Sequence, residues 1–229
     1  MKEKNAETVA LVVHAPTMSL QEITKLPEVS EEKQHPRDFW PSRISVTTLA
    51  RVSTSNVDET TAICALAVGS RFPLPSSQEM RKGTALHKAV LPRAAGLLQE
   101  QGVQVRQEWE FSHEAGITGR VDLYIPDPHA PLVVEFKTAS ARRSPRPYDF
   151  VQASLYSVFV APCLLVIASV RDERIFYAHS LYPSEWERWS APAIKLLEKY
   201  QERREKDREK IRGRCPLCPY FSTCERRGQ

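Results

Sequence analysis

"GRVDLYIPDPHAPLVVEFKT", residues 119–138, places two runs of alternating apolar residues on either side of a turn rich in proline. Pro126, Pro128 and Pro131 lack the backbone N–H that a strand interior needs, so "PDPHAP" reads as a turn and its flanks as an antiparallel hairpin. Counting outward from a symmetric turn pairs Ile125 with Leu132, Tyr124 with Val133, Leu123 with Val134 and Asp122 with Glu135. Two carboxylates then lie opposite each other, which is destabilising unless something positive lies between them. A divalent cation would resolve the repulsion. Lys137 lies two residues beyond Glu135 and points to the same face, where its ammonium could hold an attacking water or stabilise charge growing on a phosphate. Glu135 and Lys137 alone would suit an exposed sheet edge; Asp122 in matching register turns the reading toward a site.

Outward from this hairpin, strand signals continue upstream in "VQVRQEWEFS" and downstream in "CLLVIAS" and "RIFYAHSL", the last two joined at "VRDE". Helical spacing marks "SSQEMRKGTALHKAVLPRAAGLLQEQG", with Gly102 as its stop, and "YDFVQASLYSVFV". A helix-like patch, "ETTAICALAVGSRFPLP", is broken by Gly69, Pro73 and Pro75. The last helix is expected to begin at Ser184, where "SEWE" has the form of a capping box, and to be kinked or interrupted at Pro192. Strands and helices in this order predict an α/β fold around a mixed sheet. Four segments are expected: a lead-in over 1–42, with one short strand-like run, "TVALVVHAP"; a helical segment over 43–78; a core over 79–182; and a C-terminal helix with a cysteine cluster over 183–229.

The chain has 229 residues, 26% charged and 41% hydrophobic, with a net charge of +4, which excludes wholesale disorder and is compatible with a polyanionic partner. No secretory or membrane-spanning run is evident, so a cytoplasmic protein without a membrane partner is expected. The charged tail "KLLEKYQERREKDREKIRGR" interleaves both signs and suits a solvated helical face.

Other polar groups fall at useful positions. Gln152 and Tyr156 share one helix face at i and i+4, as a site wall or as an ordinary core helix would require. His87 suits a metal ligand or a satisfied core histidine. Arg142, Arg143 and Arg146 lie between the Lys137 strand and the Gln152 helix, where they would meet phosphates or form an ordinary charged loop. "RCPLCPYFSTC" groups Cys215, Cys218 and Cys224, a spacing that points to metal rather than disulfides. Of the two remaining cysteines, Cys163 begins an apolar strand and reads as a buried inert thiol, whereas Cys64 is the better fourth ligand. From spacing alone structural zinc is the default, and an iron-sulfur cluster is the competing reading.

His87, "GRVD" ending at Asp122, "VVEFK" with Glu135 and Lys137, and "QASLY" from Gln152 to Tyr156 resemble, in this order, the RecB-like branch of the PD-(D/E)xK nuclease superfamily. The resemblance runs from about Ile44 to the C-terminus and implies a restriction-endonuclease-like core, a mixed sheet flanked by helices. It also implies that His87, Asp122 and Glu135 bind Mg²⁺ or Mn²⁺, that Lys137 positions the nucleophilic water, and that Gln152 and Tyr156 wall the active site. One cysteine upstream and three at the end resemble the branch in which a 4Fe-4S cluster joins the N- and C-terminal segments, here through Cys64, Cys215, Cys218 and Cys224. A short chain of this layout looks most like the CRISPR-associated Cas-four exonucleases. It departs from them where Cys64 leads into "ALAVGSRF" instead of Pro-Arg and an aromatic. That family implies metal-dependent hydrolysis of single-stranded DNA ends or overhangs and processing of prespacers with the CRISPR integrase proteins. The alternatives are a RecB- or AddB-like nuclease of recombination or repair, and a non-cutting subunit that recognises a DNA end or flanking motif.

Overall fold

The computed structural model describes residues 41–69, 78–139, 143–169 and 175–206. Its elements run β1 (Ile44–Ser45), α1 (Val46–Ser53), α2 (Glu59–Gly69), α3 (Gln78–Glu100), β2 (Arg106–His113), β3 (Ile117–Ile125), β4 (Leu132–Ala139), α4 (Pro147–Phe159), β5 (Cys163–Ser169), β6 (Ile175–Ser180) and α5 (Pro183–Lys206). The expected strand-like run in 1–42 and the breakers Pro73 and Pro75 lie outside the described residues.

Six strands form one mixed sheet in the order β1-β3-β4-β5-β6, with β2 paired to β3. β1 and β3 are parallel, as are β4 and β5, and the remaining pairs are antiparallel. Apolar residues alternate along β4 and β5 and so feed two cores. Val133, Cys163 and Leu165 join α1, α2, α4 and α5 in one cluster, while Val134, Phe136, Leu164 and Val166 join Leu91, Ala95 and Leu98 of α3 in the other. Helices therefore cover both faces, as the sequence predicted for an α/β fold.

The central hairpin has the predicted register, Ile125 with Leu132, Tyr124 with Val133 and Leu123 with Val134. Its turn is held by Asp127 Oδ1, which accepts from the backbone N–H groups of His129 and Ala130 at 2.8 and 2.9 Å. The ladder stops one pair short of Asp122 and Glu135. β2 occupies one edge of β3 along its length, so β1, paired at Ile117 and Thr118, must share the other edge with β4. Residues 119–122 lie between these two partners, where the edge of β3 is open.

Two boundaries differ from expectation. α5 starts at Pro183, and the carboxylate that reaches back to cap it belongs to Glu185, which accepts from the Tyr182 N–H at 2.8 Å. It also runs unbroken through Pro192, because the carbonyl deprived of its partner belongs to Arg188 on the exposed side of the helix. The Gly102 stop holds: its φ of +78° lets the Val103 N–H return to the Leu98 carbonyl at 3.0 Å.

Gly119 fits the open edge to α4. A Cβ there would lie 2.6 Å from Phe111 Cε1 and 3.2 Å from Tyr156 Cε1. Gly119→Ala should cost about 1–3 kcal/mol in urea denaturation. Adding Phe111→Leu should recover part of that loss, whereas strictly additive losses would show that the methyl meets its obstacle elsewhere.

Candidate functional site

Glu135 lies inside the protein, 3% exposed, at the open edge between β3 and β4. It and Lys137 share the parity of Val133, which packs on the α4 side of the sheet, so both side chains meet that helix. Glu135 Oε1 accepts from Lys137 Nζ at 2.7 Å and from Gln152 Nε2 at 2.9 Å. Gln152 Oε1 accepts a second bond from Lys137 at 2.7 Å. Gln152 Nε2 also donates to Tyr156 Oη at 3.2 Å, and that hydroxyl donates to the Arg120 carbonyl at 2.9 Å. One face of α4 thus links the Glu135 carboxylate to the backbone of β3.

Asp122 closes the other side of the gap. Its Oδ2 accepts from the Phe136 backbone N–H at 2.7 Å, and its Oδ1 meets His87 Nε2 at 2.9 Å. A side chain thereby substitutes for the missing ladder pair and ties α3 to both strands. The predicted residues His87, Asp122, Glu135, Lys137, Gln152 and Tyr156 are all brought to this junction.

The electrostatics follow from burial. Desolvation, helped by the Asp122 carboxylate, pushes the Glu135 pKa up to about 7 despite Lys137. Burial opposes the charge on Lys137 more than any single neighbour favours it, but Glu135, Tyr148 and Asp122 together outweigh it and hold the lysine above its ordinary value. Lys137 is therefore an ammonium that donates, not a base that accepts. Burial also opposes protonation of His87, yet its bond to Asp122 and the carboxylates of Asp122 and Glu135 raise it overall. Tyr156 is pushed well above its ordinary value, by burial first and by Glu135 second, and remains a donor.

Glu135 Oε2 is buried and, among the described residues, has no hydrogen-bond partner. A carboxylate oxygen in that condition, next to a second carboxylate, suits a cation ligand. Asp122, Glu135 and His87 are the side chains that could hold one, although among the described residues no three His, Cys, Asp or Glu side chains already converge as a closed metal-binding group.

Three features escaped the sequence reading. The Tyr148 ring lies 5.3 Å from Lys137 Nζ, one helical turn before Gln152, and the same i, i+4 spacing that marked Tyr156 would have found it. Arg143, placed by sequence among phosphate-facing groups, bonds the buried Asp149 Oδ2 at 2.6 Å. Asp149 also accepts from the Arg146 N–H at 2.8 Å, which pins the start of α4 and leaves the Arg146 side chain exposed. Arg142 and the cysteines at 215, 218 and 224 lie outside the described residues, while Cys64 and Cys163 are both buried.

The Glu135 shift gives a signed pH dependence. A folded-state pKa raised from 4.5 to about 7 gives stability present below the unfolded value and lost as pH rises through the folded one. In chelator, the parent should therefore lose stability between about pH 4.5 and 7, by at most about 1.4 kcal/mol per pH unit from this group. Glu135→Gln should flatten that part of the profile, and urea denaturation across the range measures both.

Comparison with known proteins bears on this arrangement. A family model of the PD-(D/E)XK nuclease superfamily matches residues 46–225. A search of the curated proteins finds no match. Among solved structures, an alkaline exonuclease from Laribacter hongkongensis, LHK-Exo, is similar in fold with a TM-score of 0.52 and 16% identity, covering 72% of this chain and 91% of that one. Its complex with dAMP gives the same TM-score and coverage at 17% identity. A candidate exonuclease from Eubacterium rectale aligns with a TM-score of 0.52 and 12% identity, covering 84% of this chain and 94% of that one. With its family model matched over most of its length, this chain belongs to the PD-(D/E)XK nuclease superfamily.

Proposed function

We propose that the protein is a metal-dependent DNA exonuclease that hydrolyses phosphodiester bonds at the junction of β3, β4 and α4. The observation that carries this reading is the buried Glu135 carboxylate, one oxygen held by Lys137 and Gln152 and the other unpartnered beside Asp122. Asp122, Glu135 and His87 would hold Mg²⁺ or Mn²⁺, which supplies Lewis-acid polarisation of the phosphate and a water made acidic enough to attack. Lys137, fixed as an ammonium, orients that water and offsets negative charge growing on the phosphate. Gln152 holds the lysine and the glutamate in one geometry, and Tyr156 anchors Gln152 to β3. His87 would hold the cation only through an unprotonated ring nitrogen, so it would have to exchange its contact with Asp122 for the metal.

The preference for DNA ends follows the solved exonucleases of similar fold. Arg146, exposed at the start of α4, and Arg142 are the loop cations proposed to meet DNA phosphates; Arg143 would act there only by leaving Asp149.

A 4Fe-4S cluster on Cys64, Cys215, Cys218 and Cys224 is part of the same proposal. One observation favours it over a site made by the terminal cysteines alone. Lys199 of α5 pairs with Glu59 of α2, bringing the helix that carries Cys64 against the helix that leads into the cysteine-rich end. With this cluster the layout is that of the Cas-four nucleases, and prespacer processing beside the CRISPR integrase proteins is the proposed setting. Recombination or repair, the RecB- or AddB-like alternative, is a second setting for the same chemistry.

Digestion of end-labelled single-stranded and duplex DNA by anaerobically purified protein tests the activity. Mn²⁺ or Mg²⁺ should support shortening from an end, chelator should abolish it, and Glu135→Ala or Lys137→Ala should each slow it by at least about 100-fold. No cutting by the parent under any of these conditions would leave DNA-end recognition without hydrolysis. Iron and acid-labile sulfide in equal amounts, lost together in Cys218→Ser, are expected from the same preparation; zinc in their place would establish a structural zinc site instead.

A further inference from the structure

Among the described residues, Glu108 of β2 alone of the non-glycine residues has a positive φ, +44°. It is a left-handed residue inside a strand, where extended backbone is the rule and a side chain makes this conformation costly. The β2–β3 ladder pairs Gln107 with Leu123 and Trp109 with Val121, and it skips the pair between them, Glu108 and Asp122. No residue is inserted, since the register is the same on both sides of the gap.

The side chains of β3 change face at the same place. In a regular strand Ile117, Val121, Leu123 and Ile125 would all point one way. Ile117 and Val121 instead pack in the cluster beneath α4, whereas Leu123 and Ile125 pack in the cluster beneath α3. The switch falls between Val121 and Leu123, at Asp122. On β2, Trp109 and Phe111 follow Val121 to the α4 side. Asp122 has no ladder pair with β4 either, and its carboxylate is held by His87 from α3 and Phe136 from β4.

We infer that Glu108 is a positioning residue: its left-handed backbone lets β2 turn together with β3, and this turn aims the Asp122 carboxylate into the junction between α3 and β4. An undistorted β2 would extend the ladder through residue 108 and hold Asp122 in regular alternation with its neighbours, facing one side of the sheet rather than standing where the two faces exchange between His87 and Phe136. The role belongs to the backbone of Glu108, because its side chain is exposed and, among the described residues, reaches only Arg120, at 3.8 Å. The inference rests on the proposed role of Asp122 as a cation ligand.

Calorimetric titration of Mn²⁺ into chelator-stripped, full-length protein tests it. Glycine adopts the left-handed conformation freely, glutamine removes only the charge, and a β-branched valine resists it. Glu108→Gly and Glu108→Gln should bind Mn²⁺ within about twofold of the parent. Glu108→Val should bind at least about tenfold more weakly, with DNA cleavage restored by raised Mn²⁺. Parent-like affinity in Glu108→Val, or an equal loss in Glu108→Gln, overturns the inference. Should Glu108→Val fail to fold, Glu108→Thr takes its place with the same expected order. Asp122→Ala, measured in parallel, separates the two readings. Retained binding there removes Asp122 from the cation site, whereas lost binding beside a parent-like Glu108→Val removes only the role of Glu108.

Discussion

A carboxylate kept out of water is the constraint around which this molecule is organised. Transfer of a lone Glu135 into the interior would cost far more than the protein's net stability, so its surroundings have to supply compensating charge and hydrogen bonds. Lys137 provides charge and Gln152 provides a donor, while one oxygen is left without a partner. Helix α4 is placed by that requirement as much as by its apolar face, since Tyr148, Gln152 and Tyr156 all lie along the side that meets β3 and β4.

The same economy governs the gap between the two strands. Parting β3 from β4 exposes backbone groups that a sheet would otherwise pair, and buried backbone groups need partners. Asp122 takes the Phe136 N–H and Tyr156 takes the Arg120 carbonyl. The residues that shape the site are thus also the ones that make an open sheet tolerable at this point. Replacing either should disturb architecture and chemistry together, which separates them from Lys137, whose ammonium donates to the side chains of Glu135 and Gln152.

Much of this could be read from the sequence because it depends on period. The proline-rich turn set the register of Ile125 with Leu132, alternation put Glu135 and Lys137 on one face, and helical spacing joined Gln152 to Tyr156. What could not be read was whatever depends on departures from period. Extending regular pairing to Asp122 and Glu135 overlooked the parting of the strands there, and nothing in "RQEWEFSH" marks Glu108 as left-handed. Arg143 looked like a free loop cation because its partner, Asp149, is buried only once α4 has docked. Pro192 looked like a break because propensity is local, whereas the apolar face of α5, with Ala193, Leu197 and Tyr200 in the core, keeps the helix continuous.

The two residues of β1 share an edge with β4, and the chain around them is secured from far away. Tyr200 Oη donates to the Pro41 carbonyl at 2.8 Å, and Gln201 Nε2 donates to the Ala115 carbonyl at 2.6 Å. Contacts between residues so distant in sequence are slow to form and are made late during synthesis from the N-terminus. The β2–β3–β4 meander can pair as soon as it leaves the ribosome, but the floor beneath it closes only after α5 has emerged. A nascent chain therefore carries every side chain of the β3–β4–α4 junction well before it holds them in a common geometry.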